Sequence, residues 1–185
     1  QGVLWGSSDA LKKTEGQGHY FNEEKSRYRL NPSGPQHAQI GALAGITQYF
    51  DNLYRHHFGD SDMGIHQKAV KVFDLVEAHE ANLANQLLDY LKNRDDIRIL
   101  GQDHATPGKR ASTIAFHARG MPSQHIAQKL AEHQIAAGAG DFYALRCVES
   151  LGMDPEDGVV RVSLVQYNTI EEVKKLIGAL DSTLP

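Results

Sequence analysis

The chain has 185 residues, 41% hydrophobic and 23% charged, the proportions of a soluble globular protein of one domain or a domain and a half. A formal net charge of -4 removes the basic footprint that nucleic acid requires, and no apolar run approaches the roughly 20 residues of a membrane helix. A single cysteine excludes an internal disulfide and suits a reducing, cytoplasmic setting.

The chain opens QGVLWG, with no Met and no signal-type leader. Val3, Leu4 and Trp5 are expected to form a short strand. A domain rarely begins inside a strand, so the chain is expected to be a fragment; a processed mature chain is the alternative. Ser7 to Asp9 read as a turn or N-cap leading into a helix over Ala10 to Thr14. Residues 15–29 are polar and read as a surface loop. Asn31-Pro32-Ser33-Gly34-Pro35 is a turn in which two prolines restrict the backbone. Ile40, Leu43, Ala44, Ile46, Thr47, Phe50, Leu53 and Tyr54 follow at helical spacing, and Gly59 is expected just past that helix end.

Asp60 to Asp62 are expected to cap a helix of about 30 residues ending near Lys92, a length that often connects two bodies. The composition shifts at Asn93 to Asp96. We therefore expect boundaries of 1–60, 61–93 (the connector helix) and 94–185. After the shift come strands over Ile97–Leu100 and Ser112–His117, then a helix over Pro122–His133. A short strand over Ile135–Ala139 and a helix over Phe142–Leu151 follow. Last come a turn at Asp154 to Gly158, the strand VVRVSLV and a helix. Thr169 with Glu172 three residues on is a capping box for that helix. The order predicts an α/β fold with an α+β-like small domain, a small sheet with helices packed on it.

Few residues stand out for chemistry. His56 and His57 are adjacent, so on a helix they diverge and read as a solvated helix end. His79-Glu80 has Leu83 where a zinc helix needs a second histidine, so no metal site is expected. Cys147 reads as a packed small side chain. Gly138 to Asp141 before a helix offers backbone N–H groups to an anion, or forms a structural turn. Lys109-Arg110 reads as a solvated loop end. Ser33 and the backbone around it either meet a phosphate or simply start a helix. Arg161 is the sharpest residue. A guanidinium on a largely buried strand either grips a carboxylate bidentately or pairs with an acidic side chain, and both readings stand.

RVSLVQYNTIEEVKKLI resembles the C-terminal signature of class V aminotransferases of the cysteine desulfurase and selenocysteine lyase group. STIAFHARGMPSQHIAQKLAEHQIAAGAGDFYA is similar to that group's strand, helix, strand and active-site loop. HEANLANQLLDYL resembles its connector helix, NPSGPQHAQIGALAGITQYF its turn and following helix, and GVLWGSSDALKK the strand after its cofactor lysine. The motifs are collinear over nearly the whole chain. The resemblance implies a pyridoxal phosphate (PLP) enzyme of fold-type I, usually a homodimer, acting on an amino acid or similar amine. Residues 1–60 would be a remnant of its large domain. Arg161 matches the arginine that holds the substrate carboxylate. Ser33-Gly34 falls where a threonine reaches the cofactor phosphate, and Gly34 has no hydroxyl. Tyr143 stands at the position of the desulfurase cysteine, and Gly138 replaces an arginine often found before that loop. Tyr143 or Asp141 would approach the substrate in place of the thiol. No lysine here matches the Schiff-base lysine motif, so the resemblance implies that PLP belongs to the full-length parent and this chain is inert alone. A non-catalytic α/β interaction module and a non-catalytic PLP-fold homologue are the competing readings. Neither nucleic acid nor a membrane is an expected partner.

Overall fold

The computed structural model describes residues 2–22, 24–25, 28–31 and 34–185. The chain divides into two compact units, Gln1–Ala69 and Val70–Pro185.

In the first unit, α1 (Ser8–Lys13) is capped by the Ser7 hydroxyl, which accepts the Ala10 N–H at 3.2 Å. A short 3-10 helix covers Tyr20–Asn22. The expected strand at Val3 to Trp5 is absent, and these side chains are exposed. A strand needs a neighbour for its backbone N–H and C=O groups, and the described residues of this unit contain no other strand. Helix α2 (His37–Phe58) forms as the spacing predicts, and Gly59 (φ 79°) closes it by donating its N–H to the Arg55 carbonyl. Its apolar stripe is largely exposed. Tyr54 is the one buried residue of α2, while Ile40, Ile46, Tyr49 and Phe58 are exposed. Asp51 accepts from both Arg55 (2.8 Å) and Lys68 (2.9 Å), so ion pairs supply part of this unit's cohesion.

Helix α3 (Ile65–Lys92) has the length that its periodicity predicts. Within the second unit its Leu83, Leu87, Leu88 and Leu91 are fully buried. Strands β1 (Ile97–Leu100), β2 (Thr113–Ala118), β3 (Gly138–Gly140) and β4 (Val159–Ser163) form one antiparallel sheet in the order β1-β2-β4-β3. Helices α4 (Ser123–Glu132), α5 (Leu145–Ser150) and α6 (Ile170–Thr183) alternate with the later strands. This is the mixed α/β architecture that the element order implies.

Side chains alternate across the pleat. Ile114, Phe116 and Ala118 of β2 and Val160 and Val162 of β4 enter the core with Ile126 and Leu130 of α4 and Val173, Leu176 and Leu180 of α6. The capping box of α6 is complete: the Thr169 hydroxyl accepts the Glu172 N–H, and the Glu172 carboxylate accepts the Thr169 N–H at 2.9 Å. Ionic and polar ties close the edges of the unit. Arg94 reaches Asp96 through two N–H groups and the Pro185 carbonyl through one, and the Tyr90 hydroxyl donates to Asp181.

In the second unit two elements start three residues later than expected. The predicted strand at Ile135 to Ala139 moves C-terminally, so that Gly138-Ala139-Gly140 is itself the edge strand β3. Glycines permit this because Gly158 (φ 65°) lies against the Gly140 backbone; a Cβ on Gly158 would come within 2.3 Å of the Gly140 carbonyl. Helix α5 begins at Leu145, not Phe142, because Phe142 (φ 53°) and Tyr143 (φ 60°) are left-handed and cannot continue a right-handed helix.

Candidate functional site

One face of the sheet is closed by the core. The opposite face carries Arg98 of β1, Thr113, Ala115 and His117 of β2, and Arg161 and Ser163 of β4. The register sets neighbours: Arg98 lies opposite His117, Thr113 opposite Ser163, and Arg161 between Ala115 on one side and Gly138 on the other.

Arg161 is therefore exposed, which corrects the expectation of a guanidinium on a buried strand. The valines around it are buried, but alternation turns position 161 outward. It has no ion pair among the described residues. Its guanidinium carbon instead lies 3.8 Å from the centroid of the Phe142 ring. Its two cross-strand neighbours are among the smallest residues available, so the space beside the guanidinium is framed by an alanine and a glycine.

The loop between β3 and α5 is held by its own polar groups. The Tyr143 N–H donates to Asp141 Oδ1 at 3.0 Å, and the Ala144 N–H to the Asp141 carbonyl at 2.8 Å. Asp141 is thus engaged with the backbone of the turn. Tyr143 projects fully into solvent. Cys147 sits on α5 with an exposed side chain, so the reading of a packed thiol is corrected, and since Tyr143 precedes the helix the two do not share a helical face.

Below the face, Asp157 holds the start of α4. Its carboxylate accepts the Ser123 N–H at 2.8 Å and the Ser123 hydroxyl at 3.1 Å, and lies 3.4 Å from His117 Nε2. Sequence reasoning missed Asp157, His117 and Phe142. The alternation in TIAFHA marks His117 as the outward neighbour of Ala115, but nothing local joins it to Asp157.

Other candidates have structural partners. His79 Nε2 lies 2.9 Å from the Asn168 carbonyl, and Glu80 accepts the Ser112 hydroxyl at 2.8 Å. Arg110 is not a solvated loop end: it donates to the carbonyls of Gln102, Ala111 and Thr113, and burial lowers its pKa. Gly138 to Gly140 pair with β4 instead of forming an anion-binding turn. His56 and His57 end α2 with their rings 4.7 Å apart. No group of three His, Cys, Asp or Glu with metal-holding geometry occurs among the described residues. No described helix is long and apolar enough to cross a membrane.

The residues assigned to the cofactor are Ser33 and Gly34. Ser33 lies outside the described residues. Gly34 is exposed, with no atom within 4 Å of the position that its Cβ would take. The α2 N-terminus beyond it carries no side-chain cap. A PLP phosphate needs several converging donors and its aldehyde an amine in a sheltered pocket. The described residues around Gly34 do not present that set.

The model of the aminotransferase class-V family matches residues 65–176. The aminotransferase-like protein FGM3 of Gibberella zeae is 31% identical over 98% of this chain and 42% of its own length. A Pseudomonas putida protein named "Probable cysteine desulfurase" is 35% identical over 59% of this chain and 25% of its own. The cysteine desulfurase CsdA of Escherichia coli has the same fold, with a TM-score of 0.61 at 24% identity over 84% of this chain and 32% of that one. The chain thus spans less than half the length of these relatives. With its helix, sheet and C-terminal signature matched together, the chain belongs to the aminotransferase class-V family.

Proposed function

We propose that the open sheet face of the second unit is the carboxylate-binding side of a PLP-dependent site that acts on an amino acid or a similar amine. Arg161 is the anchor. The observation that carries this reading is its exposure, without an ion pair among the described residues, between Ala115 and Gly138. An arginine held on a rigid strand presents a fixed fork of N–H donors to a carboxylate, and small Ala115 leaves room for it on the side that the Phe142 ring does not occupy. Membership of the class-V family agrees with the PLP cofactor and the homodimeric parent that the sequence resemblance implies.

In this reading the amine that binds PLP is not supplied by these 185 residues, and the chain alone is inert. Tyr143 at the loop where related desulfurases carry a thiol argues against persulfide chemistry, which requires sulfur as the nucleophile. Titration with PLP tests the first point: no saturable aldimine absorbance is expected, and a borohydride-trapped adduct at one lysine would overturn it. For Arg161, the R161A substitution in a full-length, active protein is expected to weaken binding of carboxylate-bearing substrates. Unchanged kinetics would leave Arg161 without that role.

A further inference from the structure

Phe142 occupies an unusual position beside Arg161. A guanidinium carbon 3.8 Å from a ring centroid is in van der Waals contact over the ring; an edge-on approach would hold the carbon farther out, because an N–H group would intervene. The ring reaches this place by two devices. The left-handed backbone at Phe142 and Tyr143 folds the loop back, and the Asp141 side chain and carbonyl fasten the turn. Gly138, opposite Arg161 in the ladder, leaves the space empty: a Cβ there would lie 2.9 Å from both Cε1 and Cζ of Phe142. Any side chain at position 138 must displace the ring.

We propose that Phe142 is a positioning residue for Arg161. The proposal rests on the reading of Arg161 as a carboxylate anchor. Phe142 covers one face of the guanidinium, restrains its long side chain, and leaves the in-plane N–H edge for one small carboxylate. Gly138 is the residue that makes the arrangement possible. Fixing the fork before the ligand arrives removes part of the ordering cost of binding.

The test uses the 185-residue chain and the NMR signal of the Arg161 Nε–H group, assigned by its loss in R161K. Without ligand, ring current is expected to displace this signal in the parent chain. F142L and G138A should each abolish the displacement, and F142Y should keep it, with core amides unchanged throughout. Sodium propionate is then titrated against sodium chloride at equal ionic strength. The parent and F142Y should bind propionate alike, and F142L about two- to fivefold more weakly, the scale of an exposed cation–π contact. A signal that is undisplaced in the parent chain, or unmoved by F142L, overturns the positioning role. An Arg161 signal that ignores propionate in the parent chain overturns the anchor reading instead, since the ring-current signature is read without ligand.

Discussion

Asn85 on α3 pairs with the backbone of Ala105 as one strand residue pairs with another. Its Nδ2 donates to the Ala105 carbonyl at 3.0 Å, and its Oδ1 accepts the Ala105 N–H at 2.8 Å. Ala105 is 2% exposed, so its backbone groups have little access to water as a substitute. The connection between β1 and β2 is held down at this point. Asn85→Ala is expected to destabilise the second unit by about 2–4 kcal/mol, two polar groups losing their partners. Asn85→Asp removes the donor and sets a carboxylate against the Ala105 carbonyl, so it should not rescue. Urea unfolding of both variants checks this; a loss near zero would mean that the loop does not depend on the pair.

Two of the carboxyls held below their ordinary pKa, Asp96 and Glu172, lie in the second unit and give its acid limb of stability a definite sign. Hydrogen bonds from Arg94 hold the Asp96 carboxyl below its ordinary pKa, and the Thr169 N–H, then Asn168, does the same for Glu172. Each carboxyl binds its proton less tightly folded than unfolded. The unfolded chain therefore takes up more protons in acid, and the stabilisation is present above the ordinary carboxylate pKa, about 4, and lost as pH falls through the lower folded values. Thermal melting against pH should show this decline. D96N and E172Q should each melt lower at neutral pH and show a shallower decline in acid. Curves parallel to the parent's would remove these two groups from the account.

Asp157 is expected to matter more than a surface carboxylate, because it satisfies both donors of buried Ser123. Asp157→Ala should cost about 1–2 kcal/mol, the scale of a lost N-terminal cap. D157N keeps an acceptor and should recover part of that. Amide exchange at Ser123 locates the effect: faster exchange at the start of α4 is expected, with the middle of α6 unaffected.

Phe116 sits at the centre of the sheet, opposite Ile99 on one side and Val160 on the other, with no exposed surface. Phe116→Ala should destabilise by about 3–5 kcal/mol through lost burial and an unfilled cavity. Denaturant midpoints measure it. By contrast, Ile46→Ala on the exposed stripe of α2 should change the stability of this chain little, since half of that side chain's surface is already in solvent.

Elements with strong local signals were legible. β1 coincides with its predicted bounds, α3 with its long stripe, and α6 with its capping box. Arg161 was legible as unusual but not as exposed. The run VVRVS contains the alternation that turns Arg161 and Ser163 outward, yet Val159, on that same face, is buried as well and makes the strand read as apolar throughout. Cys147 and Arg110 were misread for a related reason: whether a small or charged side chain is covered depends on what lies over it. Ser33 lies outside the described residues, so its assignment is carried by the resemblance alone.

The sequence by itself determined the order and kind of most elements, the cap that starts the last helix, and the family, because propensity, spacing and short motifs act between residues close in the chain. Tertiary structure alone decided which face of the sheet stays open and what stands on it. Arg161 meets Phe142 only because β3 pairs with β4 in one register, Gly138 leaves that place empty, and two left-handed residues turn the loop back. None of those three conditions is visible in the residue types of Arg161 and Phe142, since the first two are contacts between segments that the sheet brings together and the third is a backbone conformation that non-glycine residues seldom adopt.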